Sequence, residues 1–495
     1  MVERSKEQHH NILERIARHV MVERGLDPIF PNEAISQLNK IQGPASLEVK
    51  GVRDMRSVLW CSIDNDDSLD LDQLSAAKEM PDGTVKIFVA IADVDELVKK
   101  YTAIDLHARH NSLSVYTTAQ TFPMIPEKLS NGLTSLNFDE ERLALIVEMV
   151  IESNGHLKNS EIYRAAVTNH AKLCYNSVAA WLDETGPMPK EVAAVPGLEA
   201  IIRLQDKVAQ KLKDFRHEQG ALNLETIEGR AVFEGNVLKD IAIDQDNRAK
   251  EIIEDFMIAA NGCIARFLSA RKFPAIRRVV RVPKNWERIV TLAEEHKFHL
   301  PAKPDSRSLE NFLIKSRTED PLRFPDLSLS VIKLMGPGEY VVELPGEASI
   351  GHFGLAVRDY AHSTAPNRRY PDLITQRLVK AALANEPCPY DKKELDDIAK
   401  HCTKQEDAAK KVERQVTKSA AAMLLETRTG EEFEAIVTGA SDKGTWVRLL
   451  ELPVEGMLSN GYEGLDVGTT LTVRLIKTDV ERGFIDFRQT GNSLK

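Results

Sequence analysis

The sequence predicts a mixed α/β (α+β) domain followed by a small all-β barrel, and three observations support this prediction. Its 495 residues exceed what one hydrophobic core usually supports, so we expect two or three domains. Apolar runs typical of strands and stretches typical of helices follow one another through the middle of the chain. After Gly430 the pattern changes to short β-rich runs broken by glycine and aspartate, at the spacing of a five-stranded barrel.

Composition excludes several classes of protein. Apolar residues make up 42% and charged residues 28% of the chain, without the run of roughly 18 apolar residues that a membrane span needs. The first 20 residues are charged throughout and lack the apolar centre of a signal peptide, so we expect a cytoplasmic protein without a membrane partner. The five cysteines contain no C-x-x-C pair, which argues against a zinc ribbon and against disulfide partners.

The net charge of −10 argues against a general nucleic-acid binder with a basic outer face. It does not argue against a basic channel inside the protein, because counterion release depends on the lysines and arginines close to phosphates and not on the total charge. Composition alone therefore leaves RNA open as a ligand.

The predicted elements begin with a short helical segment at residues 1–50, where apolar residues recur near 3.6-residue spacing between Ile12 and Val20. Ser57–Ile63 and Val85–Val94 are apolar runs typical of buried strands. Helices are expected near residues 171–183, 197–214 and 249–269, and a strand near 276–282.

A long helix then leads to the barrel. Asp391 and Glu394 are spaced as a capping box, and the helical pattern that they open continues to about residue 426. The chain therefore divides into a helical segment, a large α/β domain and a barrel, with the boundaries 1–50, 51–426 and 427–495.

An acidic loop, Asp64–Asp72, lies between the first two predicted strands and carries five carboxylates within nine residues. Such mutual repulsion calls for a cation, and ligands that are all oxygen select Mg²⁺, Mn²⁺ or Ca²⁺. A loop held between two buried strands would be rigid enough for Mg²⁺ geometry and phosphodiester chemistry. By its residues alone the loop equally fits a solvated acidic turn.

An EF-hand is a further alternative for this loop, and it fails on position. Counting from Asp64, the sixth residue is Leu69 where an EF-hand has glycine, and the twelfth is Ser75 where it has a bidentate glutamate. A calcium-dependent structural protein built on this loop remains a weaker third hypothesis, which predicts calcium-linked stabilisation and no affinity for RNA.

Together with ID-x5-D-x-D at Ile63–Asp72, six segments form an ordered set of motifs: VAIADV (89–94), SVYTTAQTFPMIPEKLSNGLTSLN (114–137), AKLCYNSVAAWL (171–182), GALNL (220–224), IEDFMIAAN (253–261) and YAHSTAPNRRYPDLITQR (360–377). The set resembles the catalytic domain of the ribonuclease II and ribonuclease R (RNB) family, over roughly residues 50–426. The tail from about residue 427 resembles an S1 RNA-binding domain of the OB type.

This resemblance implies a metal-dependent exoribonuclease that hydrolyses single-stranded RNA from its 3′ end to nucleoside 5′-monophosphates in a buried tunnel. Asp64, Asp70 and Asp72 match the positions that hold catalytic Mg²⁺, or Mn²⁺, against the scissile phosphate. Arg368 matches the arginine that stabilises charge developing on that phosphate.

Gln73 departs from the family pattern, which has a fourth aspartate at this position. A neutral amide binds Mg²⁺ less well than a carboxylate does. The metal site would then be weak unless Asp66 or Asp67 reaches the ion. The main alternative function is therefore an RNA-binding relative with weak or no nuclease activity. The family also carries two cold-shock-like barrels before its catalytic domain, and about 50 residues cannot hold both.

Two aromatic residues are implied to hold the last base. Tyr175 matches the aromatic that stacks on the 3′-terminal base, and Phe215 is a looser match to the opposite wall of that clamp. Stacking of this kind tolerates any base, since every base offers a π-face. A lone phenylalanine at helical spacing is more often part of a core, so Phe215 also fits a structural role.

Charged residues are implied to contact the RNA end. Arg369 follows Arg368 after a proline-containing turn, where adjacent guanidiniums can clamp phosphate oxygens, although an ion pair with Asp372 fits as well. Glu254, with Asp255 as its alternative, and Glu413 match acidic positions near the terminal nucleotides.

In the barrel, Trp446 is the predicted RNA contact. Aromatic residues with basic neighbours suit single-stranded RNA, because stacking and phosphate pairing act together. Two of these aromatics fit a barrel core equally well, namely Phe433 and Phe487. The basic neighbours are Lys443, Arg448 and Arg488.

Overall fold

The computed structural model describes residues 9–244, 246–321, 323–441, 444–460, 465 and 467–490. The helices are α1 (His9–Glu23), α2 (Asn32–Lys40), α3 (Ala103–Asn111), α4 (Tyr175–Leu182), α5 (Lys190–Ala193), α6 (Leu198–Glu218), α7 (Arg248–Ala270), α8 (Trp286–Glu295), α9 (Ser306–Glu319), α10 (Phe324–Met335), α11 (Tyr370–Ala384) and α12 (Lys392–Leu425).

The strands are β1 (Arg53–Asp54), β2 (Trp60–Asp64), β3 (Gln73–Glu79), β4 (Val85–Ala92), β5 (Val115–Tyr116), β6 (Thr121–Phe122), β7 (Glu141–Ile151), β8 (Leu157–Cys174), β9 (Glu228–Glu234), β10 (Val237–Asp244), β11 (Ala275–Val279), β12 (Glu339–Glu343), β13 (Glu432–Ser441), β14 (Gly444–Leu449), β15 (Glu455–Asn460), β16 (Thr470–Asp479) and β17 (Phe484–Gln489).

The central sheet has the strand order β1-β8-β2-β3-β4-β7, and β8 also pairs with β7. The first part of β8 runs antiparallel to β7 and its last residues run parallel to β2, so the strands close into a ring. Six consecutive residues of β4 are buried, which is the pattern of a strand covered on both faces. The acidic loop therefore begins and ends on fixed strands of this core.

The elements that the sequence predicts are present with one correction in type, whereas strands β3 and β7 were not predicted. The segment near 171–183 was predicted as a helix, but β8 continues to Cys174 and α4 begins only at Tyr175. The reason is pairing with β2, which buries Ala171 and Leu173 on alternate positions. The predicted capping box is confirmed, since the Asp391 carboxylate accepts a hydrogen bond from the Glu394 amide at 2.8 Å.

The C-terminal strands form a closed barrel in the order β13-β14-β15-β17-β16, which confirms the predicted five-stranded barrel. Phe433 and Phe487 are 4% and 0% exposed, so both belong to its core and neither faces RNA. Arg448 forms an ion pair within the protein, because its guanidinium lies 3.0 Å from the buried Asp326 carboxylate of α10. Lys443 lies outside the described residues.

The N-terminal helix α1 is part of the fold. Leu13 and Ile16 are buried in one cluster with Val412 and Val416 of α12. The five cysteines are free thiols. Among the described helices, none is long and apolar enough to cross a membrane.

We predict that Leu13→Ala lowers the free energy of unfolding by about 2–5 kcal/mol, because it leaves a cavity between α1 and α12. Val22→Ala is the matched control, since Val22 lies on the same helix and is 63% exposed. The control should stay within about 0.5 kcal/mol of the wild type in urea unfolding. Equal effects of the two changes would mean that α1 is not packed as described.

Candidate active site

The acidic loop is held at several points along its backbone. The Asp64 carboxylate, at the end of β2, accepts hydrogen bonds from the Asn65 amide at 2.7 Å and the Ser68 hydroxyl at 2.9 Å. Further on, the Ser135 hydroxyl accepts from the Leu71 amide at 2.9 Å and donates to the Leu69 carbonyl at 3.0 Å. The loop is therefore held between β2 and β3. The sequence predicts β2 and the strand after β3, at Val85–Val94, whereas β3 itself was not predicted.

Asp72 is the most buried carboxylate of this loop, with 1% of its surface exposed. One oxygen accepts from the Asn367 amide at 2.9 Å. The other lies 3.2 Å from Nε of Arg368, whose side chain is 39% exposed. The acidic loop and the arginine turn (Thr364–Arg369) thus meet directly, although 296 residues separate the two charged groups in sequence.

Two buried groups hold the arginine turn in place. The Asp372 carboxylate, in the first turn of α11, accepts from the Ala365 amide at 2.8 Å and pairs with Nη2 of Arg369 at 2.7 Å. Asn261 of α7 accepts from the amide of Ser363 at 2.9 Å and from its hydroxyl at 2.6 Å. Arg369 therefore takes the ion pair with Asp372 that the sequence left as an alternative, and Arg368 is the arginine directed at the acidic loop.

Tyr116 was missed by sequence reasoning, although it stands inside the quoted motif 114–137. Its hydroxyl donates to the Asp70 carboxylate at 2.8 Å, and its backbone amide donates to Glu413 at 3.0 Å. Its side chain is 42% exposed. The only signal in the sequence is an aromatic residue within a motif, because the partners lie 46 and 297 residues away.

Burial makes the charged forms of these carboxylates unfavourable. It raises the pKa of Asp72 to about 7, with the nearby Arg368 charge opposing this rise and the Asp70 charge adding to it. Burial also raises the pKa of Asp64, against its two hydrogen bonds. A bound cation would reverse both effects, because an opposite charge favours the carboxylate form.

The donors of this site suit a hard divalent cation. Asp64, Asp70 and Asp72 offer only oxygen, and the side-chain oxygen of the adjacent Gln73 is buried without a hydrogen-bond partner. Within the described ranges, however, no three histidine, cysteine, aspartate or glutamate side chains are already arranged around one point. The predicted metal ligands therefore fit by chemistry and would have to turn toward the ion, so they stay a prediction.

Tyr175 lies directly beside this site. Cys174, the residue before it, pairs with Asp64 across β8 and β2. Burial raises the pKa of the Tyr175 hydroxyl, and the Asp64 charge adds to that rise. The position of Tyr175 is thus compatible with its predicted contact to a terminal base.

Phe215 packs against another side chain of the protein. Its ring lies edge-on to His156, with the ring centroids 5.8 Å apart. His156 precedes β8, whereas Tyr175 follows that strand. This packing favours the structural role for Phe215, and its place opposite Tyr175 stays a prediction.

The structure distinguishes the two acidic candidates on α7. Asp255 is buried and forms an ion pair with Arg216, so it is a structural residue. Glu254 is exposed and its charge, together with burial, raises the pKa of Tyr360 at the start of the segment that leads to the arginine turn. Glu254 stays the predicted RNA contact on this helix.

Two family models match the chain. The model of the RNB domain matches residues 52–385. The chain belongs to the RNB family. The model of the RNase II-type exonuclease C-terminal S1 domain matches residues 431–490, which contain the barrel. The expected arrangement of an RNB domain followed by an S1 barrel is thus confirmed.

Known proteins share this RNB fold. Ribonuclease R of Aquifex aeolicus is 31% identical over 458 residues, which are 90% of this chain and 63% of that protein. The structure of Mycoplasma genitalium RNase R in complex with ribose methylated single-stranded RNA has a TM-score of 0.85 at 21% identity, over 96% of this chain and 77% of that one. Yeast Ssd1, a pseudonuclease, has a TM-score of 0.70 at 15% identity, over 94% and 58%.

The chain spans 63% of the length of the Aquifex relative, so that protein's activity does not pass to it by likeness alone. At 21% and 15% identity the two structures show a common fold only. Because an RNase R and a pseudonuclease share this fold, the chemistry depends on the side chains of the RNB domain and not on the fold alone.

The S1 barrel and α12 enclose a groove of about 380 Å³, which contains Trp446. Phe484 also lines this barrel groove and is 58% exposed. Five cations and two carboxylates line it, so it is locally basic in a chain whose net charge is −10. The cations are Arg24, Lys411, Arg414, Lys418 and Arg482.

The raised pKa of Asp72 predicts that the stability of the metal-free RNB domain depends on pH. An ordinary aspartate has a pKa of 3.8 and Asp72 one of about 7, so between these values the folded protein holds more protons and its free energy of unfolding falls as pH rises. Asp72→Asn removes this titration. In calorimetry with EDTA, we expect the variant to unfold about 3 °C above the wild type at pH 8 and the difference to shrink toward pH 4.5. A difference that is independent of pH would contradict the assignment.

Proposed function

We propose that this chain is a metal-dependent 3′-to-5′ exoribonuclease that hydrolyses single-stranded RNA to nucleoside 5′-monophosphates. The observation that carries the proposal is the meeting of Asp72 with Arg368 at 3.2 Å, beside Asp64 and Asp70, inside an RNB domain. A phosphodiester hydrolase site needs two kinds of group. The carboxylates bind a cation, and the arginine binds the phosphate.

Asp64, Asp70 and Asp72 would hold Mg²⁺ or Mn²⁺. When bound, such an ion lowers the pKa of a coordinated water and shields the charge on the leaving oxygen. RNB exoribonucleases generally depend on a metal ion, which supports this role. Asn367 keeps Asp72 oriented through its backbone amide, while the loop backbone is held by Ser135.

Arg368 supplies positive charge to the phosphate. Its Nε faces Asp72, and 39% of its side chain is exposed, which leaves the guanidinium accessible to phosphate oxygens. A guanidinium offers several N–H donors in a fixed plane and can bind two such oxygens at once. Its contact with Asp72 supports a role for that charge beside the proposed metal ligands, where the reacting phosphate would lie.

Residues around this centre suit the 3′ end of a single strand. Tyr175 follows the residue that pairs with Asp64, and the Tyr116 hydroxyl binds Asp70, so either ring could stack on a base at this centre. The Glu413 carboxylate accepts from the Tyr116 backbone amide and so holds the backbone that carries one of these rings. The 3′-to-5′ direction is carried over from the likeness to ribonuclease R.

The barrel groove supports RNA as the polymer. Its exposed Phe484, with Trp446, offers surfaces for stacking, and its cations offer partners for phosphates. The Mycoplasma RNase R of the same fold was solved with single-stranded RNA, which supports this ligand class. We assign the groove to the RNA segment upstream of the active site.

A second candidate function is RNA binding with little or no nuclease activity. Gln73 favours it, because a neutral amide stands where the family pattern has a fourth aspartate. The shared fold of the yeast pseudonuclease shows that an RNB-type fold does not guarantee activity.

We predict that wild-type protein with Mg²⁺ or Mn²⁺ shortens a 5′-labelled oligoadenylate stepwise from its 3′ end and releases AMP. Asp72→Asn should lower the rate by about 10²–10³-fold, since it removes one charged partner of the reacting phosphate centre. Binding of the same RNA, measured by fluorescence anisotropy, should change little in this variant. Equal shortening rates in wild type and variant would contradict the proposal.

The same assay separates the second candidate. Binding of RNA by the wild type without shortening would favour the RNA-binding protein. The variant Gln73→Asp then tests the cause: stepwise shortening that appears only in this variant would assign the missing activity to the amide.

A further inference from the structure

One buried side chain links the two halves of the site and has no part in the proposed reaction itself. Gln376 lies on α11, eight residues after Arg368, and is 1% exposed. Its Nε2 donates to the Ala92 carbonyl at 2.7 Å, and its Oε1 accepts from the Asp95 amide at 3.0 Å. Both polar ends of the side chain are therefore bound to backbone at the end of β4.

Ala92 connects this contact to Asp72. The Ala92 amide donates to the backbone carbonyl of Asp72 at 2.9 Å. This bond lies one step beyond the last regular pair of the two strands, Gln73 with Ile91. Ala92, at the end of β4, thus donates its N–H to Asp72 and accepts at its carbonyl from Gln376.

The same helix holds the arginine turn. Asp372 binds the Ala365 amide and Arg369, and it lies four residues before Gln376. Residues four apart lie on one helix face, about 6 Å apart along the axis. One face of α11 therefore contacts both the turn that carries Arg368 and the end of β4, where Ala92 is hydrogen-bonded to Asp72.

We propose that Gln376 is a positioning residue, which fixes the backbone of Asp72 relative to Arg368 and so keeps the two charged groups in contact. It acts through Ala92 and does not touch the substrate. The expected kinetic effect of Gln376 rests on the proposed function. The hydrogen bonds of Gln376 and Ala92 do not depend on it.

Gln405 on α12 provides a matched control. It is 2% exposed, and its Nε2 donates to the backbone carbonyls of Gly25 at 3.1 Å and His110 at 2.7 Å. It therefore has the same chemistry and burial as Gln376, but its partners join the N-terminal segment to α3 and α12 instead of the acidic loop to the arginine turn.

The test compares Gln376→Met and Gln405→Met in the full chain, with two readouts. The first is kcat and KM on 5′-labelled oligoadenylate. The second is the Mn²⁺ concentration that gives half of the metal-induced rise in unfolding temperature. We expect Gln376→Met to lower kcat by about 10–100-fold with KM changed less than about twofold, and to raise the Mn²⁺ midpoint about tenfold. Gln405→Met should lower only the unfolding temperature.

A second variant keeps the test decisive if Gln376→Met does not fold. Gln376→Glu keeps an acceptor for the Asp95 amide and, when ionised, loses the donor to Ala92, so the same changes are expected at pH 8. Values of kcat and Mn²⁺ midpoint within twofold of wild type in the folded variants, or an equal loss in Gln405→Met, would overturn the proposal. An inactive wild type whose Mn²⁺ midpoint still depends on Gln376 would refute the proposed function alone.

Discussion

The site depends on one contact, in which the Arg368 guanidinium meets the buried Asp72 carboxylate across 296 residues of sequence. The Asp72 carboxylate is expensive to bury alone, since an unpaired charge in a protein interior costs several kcal/mol. The fold therefore has to bring the acidic loop and the arginine turn together precisely enough for each to satisfy the other. The supports around them, Asn261, Ser135 and Asp372, are accordingly buried hydrogen-bonding groups.

This pairing also explains why the carboxylates call for a further cation. Arg368 lowers the pKa of Asp72, yet burial still holds it near 7, so one positive charge does not balance the site. Asp64 and Asp70 add negative charge on the same loop. A divalent ion would satisfy all three and free the arginine for a phosphate, which joins metal binding and substrate binding in a single electrostatic balance.

Local patterns were enough to predict much of the fold. The capping box at Asp391 and the barrel after Gly430 depend on short-range signals, and both are present in the structure. The resemblance likewise gave Asp72 and Arg368 roles at the same phosphate. The errors came from long-range geometry, since nothing local shows that β8 extends through the segment before Tyr175.

Other features of the site depend on partners that are distant in sequence. Phe215 has the right spacing for a helix face, and its ring packs against His156, which precedes β8. Tyr116 and Gln376 gain their roles from partners 46 and 284 residues away, and neither stands out by type alone. Sequence motifs thus give the charged chemistry of this site, whereas the groups that position it emerge only from the packed chain.

The most direct measurement is anomalous diffraction from a crystal soaked in Mn²⁺. The account predicts a peak within coordination distance of carboxylate oxygens of Asp64, Asp70 and Asp72, on the side that faces Arg368. A peak elsewhere, or none at a concentration that raises the unfolding temperature, would contradict it.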